Sequence, residues 1–119
     1  MKRNYNPQWN KFEAALLLEA LLNVRDGRCT RKDAVTTISN RFRNKAILDK
    51  VPISDTYRNV NGITLQLAAM DYAYTNGARG VKHVSKLFYE TVDLYRTNPQ
   101  QFKIVLQFAK EMYRNNKIQ

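Results

Sequence analysis

A chain of 119 residues, 44% hydrophobic and 25% charged, with only three Pro and four Gly, has the composition and size of one globular domain; it is long enough to bury about two thirds of its unfolded surface. A single cysteine, Cys29, excludes an intramolecular disulfide framework. A single histidine, His83, leaves no Cys/His zinc set, so no metal and no cofactor is expected. Twenty Lys plus Arg against ten Asp plus Glu give a formal charge of +10, an excess that a polyanionic partner would neutralise.

The start, MKRNYNPQWN, lacks the apolar run of a signal peptide, and no later stretch approaches the roughly 18 apolar residues of a membrane span. A cytoplasmic protein without a membrane partner is expected. Asn10 followed by Glu13 reads as a capping box opening a first helix. Its run FEAALLLEALLNV, residues 12–24, is apolar on most faces and predicts a central helix that ends at Asp26 and Gly27. Thr30 with Asp33 opens a second, amphipathic helix. Ala34, Val35, Ile38, Phe42 and Ala46 form its apolar stripe, and Arg31, Lys32, Arg41, Arg43 and Lys45 occupy the remaining arc.

Pro52 breaks that pattern and disfavours helix at Val51, leaving one very short strand or extended segment as an option near residues 47–53. Ser54 and Asp55 start a turn carrying Tyr57 and Arg58. A third helix is expected after Gly62, with Ile63, Leu67, Met70 and Tyr74 on one stripe, and TNGARG, residues 75–80, reads as a loop. The fourth helix is read from Val84, Leu87, Phe88, Thr91 and Tyr95. Asn98 as cap, Pro99 at the first helical position and Gln101 open the fifth, whose stripe is Phe102, Val105, Leu106, Ala109 and Tyr113. The fold class predicted is all-α, a bundle of about five helices in one domain, either free-standing or the N-terminal module of a longer protein.

The parts of an enzyme site are missing. His83 is the only imidazole base and adjoins Ser85 in a polar stretch, the ten carboxylates are scattered singly, and no Gly-rich phosphate loop is present, so no catalytic residue is expected. Nucleic-acid binding needs cations to displace counterions and polar side chains at a helix start to set register. Arg58, Asn59 and Asn61 of the RNVNG segment are candidates for base or backbone contact. Equally, Asn and Gly there serve a turn and a helix cap. Arg31, Lys32, Arg41, Arg43 and Lys45 on the second helix, after Arg28, are candidates for phosphate, as are Arg79, Lys82, His83 and Lys86 near the loop. Trp9 and Tyr5 read as cover for the start of the first helix, with stacking on bases as the alternative. Cys29 sits at a helix start, where a thiol pKa is lowered, and equally serves as a small residue.

Three stretches in order, WNKFEAALLLEALL (9–22), YRNVNGITLQLAAMDYAYTNGARG (57–80) and HVSKLFYETVDLYRTN (83–98), resemble the small helical module at the front of bacterial restriction and defence proteins, notably HNH endonucleases that act on modified DNA. The resemblance spans nearly the whole chain and stresses Trp9, Arg58, Asn59, Asn61 and Gly62. It implies DNA recognition, or the positioning of a separate catalytic domain or protein. The nuclease half is missing from these residues, so cleavage does not carry over. The partner expected is DNA, with RNA also consistent with the charge and a homodimer compatible with it. An assembly module for an acidic partner protein is the alternative.

Overall fold

The near-continuous apolar run of residues 12–24 becomes the axis of the molecule. In the computed structural model, which describes residues 7–114, five helices follow in chain order: α1 (Lys11–Arg25), α2 (Arg31–Leu48), α3 (Val60–Tyr74), α4 (Lys86–Thr97) and α5 (Pro99–Met112). α1 touches each of the other four. Ala14, Ala15, Leu16, Leu17, Leu18 and Leu21 are almost completely enclosed, because a helix apolar all round must be covered on several sides. Around it pack Phe42 of α2, Leu67 and Met70 of α3, Phe88 of α4 and Phe102 of α5. No helix is long and apolar enough to cross a membrane among the described residues.

The caps expected from the sequence form. Asn10 Oδ1 accepts from the N–H groups of Phe12 and Glu13, and Glu13 Oε1 accepts from Asn10 N in return. Thr30 and Asn98 cap α2 and α5, with Pro99 in the first turn. α4 starts at Lys86 behind Ser85, which places His83 and Val84 before the helix rather than in it. α3 starts earlier than expected, at Val60 with Asn59 as cap, so Asn61 and Gly62 lie within its first turn.

Three helices end by one device. Past the C-caps of α1, α2 and α3, the left-handed residues Gly27, Lys50 and Asn76 turn the chain, with φ of 75°, 59° and 55°. The next amide reaches back to the carbonyl of Asn23, Ala46 or Tyr72 at 2.8–2.9 Å. This termination answers the segment near 47–53: Ile47 and Leu48 finish α2, Val51 N is held by Ala46, Pro52 has no amide to donate, and no strand forms among the described residues. Tyr5, expected beside Trp9, lies outside the described residues.

Contacts at the helix termini give the bundle two ends. Arg25 of α1 and Arg31 of α2 meet Asp71 near the end of α3, and Arg96 near the end of α4 bonds the Tyr74 carbonyl. At the other end, the start of α1 meets the close of α5 through Asn10 Nδ2, which donates to Tyr113 Oη at 3.3 Å. After α3 the chain doubles back along that helix, and Val81 N donates to Ala68 O at 3.3 Å. Gly80 makes the crossing. Its φ is +88°, and a Cβ there would stand 2.1 Å from Ala68 O and 2.8 Å from Tyr72 N. Gly80→Ala is therefore expected to cost at least about 2 kcal/mol, more than a loop substitution normally does. Urea unfolding of the variant checks this, with Gly27→Ala, where a Cβ meets nothing within 4 Å, as the milder control.

Candidate nucleic-acid interface

The RNVNG segment divides, with Arg58 turned inward and Val60 and Asn61 left exposed. Arg58, expected to touch nucleic acid, is instead 7% exposed. Its Nε donates to Glu13 Oε2 at 3.0 Å, and its Nη2 donates to Pro7 O at 2.9 Å and to Glu13 Oε1 at 3.3 Å. The guanidinium lies 5.1 Å from the Trp9 ring centre and 5.0 Å from that of Tyr57. Its backbone is left-handed at φ +46°, and its carbonyl accepts from Ser39 Oγ at 2.7 Å. Assignment of Arg58 to base or phosphate contact is corrected on these grounds. The guanidinium is the partner of a carboxylate that itself caps α1. Trp9 likewise points inward, edge-on to Phe42 and Phe88 with centres 5.4 and 5.7 Å away, rather than standing out to stack.

Asn59 takes the cap role: its Oδ1 accepts from Gly62 N at 2.8 Å. Asn61 remains exposed on the first turn of α3. On α2 the expected cationic face divides. Arg43 Nη1 donates to the carbonyls of Ser54 (3.2 Å) and Tyr57 (2.5 Å), binding the turn before α3, so its phosphate role is corrected to a structural one. Lys45 pairs with Asp49 one turn on. Arg41 is half-buried, with its Nε enclosed in the α1–α2 cleft beside Cys29 and Ile38. Arg28, Arg31 and Lys32 are exposed.

A cationic surface persists elsewhere. Between Thr56 and Tyr89 the only carboxylate in the chain is Asp71, and it is 5% exposed, facing Arg25 at 3.2 Å and Arg31 at 3.9 Å. Arg79, Lys82 and His83 are exposed on the segment that doubles back along α3, and Lys86 is exposed at the start of α4. Lys86 shares a cleft of about 440 Å³ with Gln66 of α3, Gln8 and the half-buried Trp9. The outer face of α3 thus carries Asn61 and Gln66 beside a row of cations, with no exposed carboxylate in the same stretch.

This row turns the corner at the end of the bundle where α1 and α3 finish. Thr75 Oγ1 donates to Asp71 O at 2.7 Å and accepts from Arg79 N at 2.9 Å, joining the loop to the helix that Arg25 and Arg31 reach. Arg25 and Arg96 flank Tyr74 at 5.1 and 4.8 Å from the ring centre. Arg25 and Arg96 escaped the sequence reading, since each stands alone in a last helical turn, where a cation is ordinary. Arrangements of three or more His, Cys, Asp or Glu fit to hold a metal are absent among the described residues.

Two outcomes follow for the internal pair and its neighbour. Arg58→Ala leaves Glu13 buried without its cation and is expected to cost about 3–5 kcal/mol in chemical denaturation, with Arg58→Lys failing to restore the forked contact. Tyr113 is pushed up from 10.0 to about 12, chiefly by burial, against the lowering effect of the Asn10 hydrogen bond. The folded state thus holds this proton more tightly than the unfolded chain. Its contribution to stability is complete below pH 10 and is lost as pH rises through about 12. Tyr113→Phe should flatten the stability profile across that window, as read by thermal melting with tyrosinate absorbance as the titration signal.

Compared with protein-family models, curated proteins and solved structures, the chain matches none.

Proposed function

We propose that this chain is a DNA-recognition module. Its contact surface is the outer face of α3 with the 79–86 segment, and Arg28, Arg31 and Lys32 extend it round the end of the bundle. The carrying observation is the stretch from Thr56 to Tyr89, whose only carboxylate is buried against two arginines while Arg79, Lys82, His83 and Lys86 face outward. Such a surface suits polyphosphate, since each neutralised phosphate releases counterions. Asn61 and Gln66 supply amide groups suited to adenine edges or to the backbone. A role in restriction or defence, with cleavage left to a separate catalytic partner, is what the resemblance to the module that precedes HNH nucleases implies.

Arg58 has no part in the contact. Trp9, Arg58, Asn59 and Gly62, four of the five positions stressed by that resemblance, serve the internal latch or the cap of α3. They mark the fold rather than the recognition.

One observation favours the other reading, an assembly surface for an acidic partner protein: Leu65 is 63% and Val81 41% exposed on this same face. Apolar residues among cations suit a protein partner as well as bases. The ultraviolet absorbance ratio of the purified material separates the two, because co-purifying nucleic acid supports the first.

The direct test is a gel-shift series with duplex, single-stranded and modified DNA, with RNA as a further arm, over a range of salt. Lys82→Ala with Lys86→Ala should weaken binding and lower the log–log salt slope by about two, one unit for each phosphate that the variant no longer neutralises. No binding at low salt, or a slope unchanged in the double variant, removes the reading.

A further inference from the structure

We propose that two copies of the chain pair through α5, each lodging Phe108 in the groove between α4 and α5 of the other. α5 has two apolar faces. Phe102, Val105 and Ala109 are buried, while Ile104, Phe108 and Met112, spaced by four, are 50%, 59% and 39% exposed. Residues four apart lie on one side of a helix, so these three form a stripe, and Val105 borders it one turn from Phe108.

Beside that stripe lies a groove of about 250 Å³, with Ala15 of α1 at its base, Leu87 and Leu94 from α4 and Val105 from α5 along its walls, and Lys11 and Glu90 at its rim. Each copy thus offers a large aromatic side chain and an apolar cleft able to take one. Self-complementarity of this kind is what a two-fold interface requires.

Charge selects a second copy as the occupant, and this face as the place. A protein of +10 repels itself, so two copies approach best where the excess is smallest. Residues 86–114 hold five cations, Lys86, Arg96, Lys103, Lys110 and Arg114, against three carboxylates, Glu90, Asp93 and Glu111, two units of the total of ten. Lys110 is moreover paired with Glu19 at 2.8 Å. Glu111 is likewise paired with Arg114 at 3.7 Å, so little unpaired charge remains along the stripe. The proposal needs the cationic row along α3 neither occupied nor functional, although Leu87 borders both the groove and the cleft that holds Lys86.

The test is sedimentation equilibrium of nucleic-acid-free protein over a concentration series. A mass rising from the 13.9 kDa of one chain towards twice that value is expected. Phe108→Asp should weaken the association at least about tenfold, and Phe108→Leu should retain most of it. Because Phe108 is more than half exposed, Phe108→Asp is expected to melt as the native chain does. Leu87→Glu, in the groove wall, should weaken the pairing equally from the other side of the interface. A native chain that stays monomeric at every concentration, or a dimer indifferent to both charged substitutions, overturns the proposal and leaves the stripe to another partner.

Discussion

The Arg58–Glu13 pair organises the polar interior of this bundle. Two ions removed from water normally lose more in hydration than they regain from each other, unless their remaining hydrogen-bonding groups are also satisfied. Here they are met in unusual depth. Glu13 accepts from Arg58 through both oxygens and from the amide of Asn10, so one carboxylate caps α1 and anchors the turn before α3. The guanidinium reaches the Pro7 carbonyl and is flanked by Trp9 and Tyr57. A left-handed arginine backbone, costly by itself, is held because so many contacts converge on it.

That arrangement explains why Arg58 faces inward while Asn61, three residues on, does not. Arg43 completes the same construction, with its guanidinium gathering the carbonyls of the turn that delivers Arg58. Backbone groups in an irregular turn packed against a bundle need partners, and arginine supplies several donors from one side chain. The surface proposed for recognition consists of plainer residues: an amide-bearing helix face and cations on a returning loop, whose position depends on Gly80 crossing α3 at a distance no side chain permits.

Charge on the molecule is partitioned rather than uniform. Arg79, Lys82 and His83 are exposed in a stretch whose only carboxylate, Asp71, is buried, whereas α4 and α5 are close to neutral and α5 carries an exposed apolar stripe. The face proposed for polyanions therefore differs in charge from the one proposed for self-association.

Much of the architecture was legible in the linear order. Helix caps and apolar stripes are local, set by residues three or four apart, so Asn10 with Glu13, Thr30, and Asn98 with Pro99 announced their helices, and the run from Phe12 to Val24 announced a central one. Asn59 was legible only as an ambiguity between a cap and a contact. The end of α2 was hidden, because Lys50 in a left-handed turn carries none of the signal that Gly27 does. Pairing across the fold was hidden altogether. Glu13 and Arg58 are forty-five residues apart, and the gathering of Arg25, Arg31 and Arg79 around the end of α3 has no trace in spacing. Composition by itself determined that the chain would be a basic globular domain, and the spacing of its apolar residues that the domain would be helical. Which cations face water and which are held inside was decided by tertiary structure, since the environment of a charge is made by residues distant in the chain.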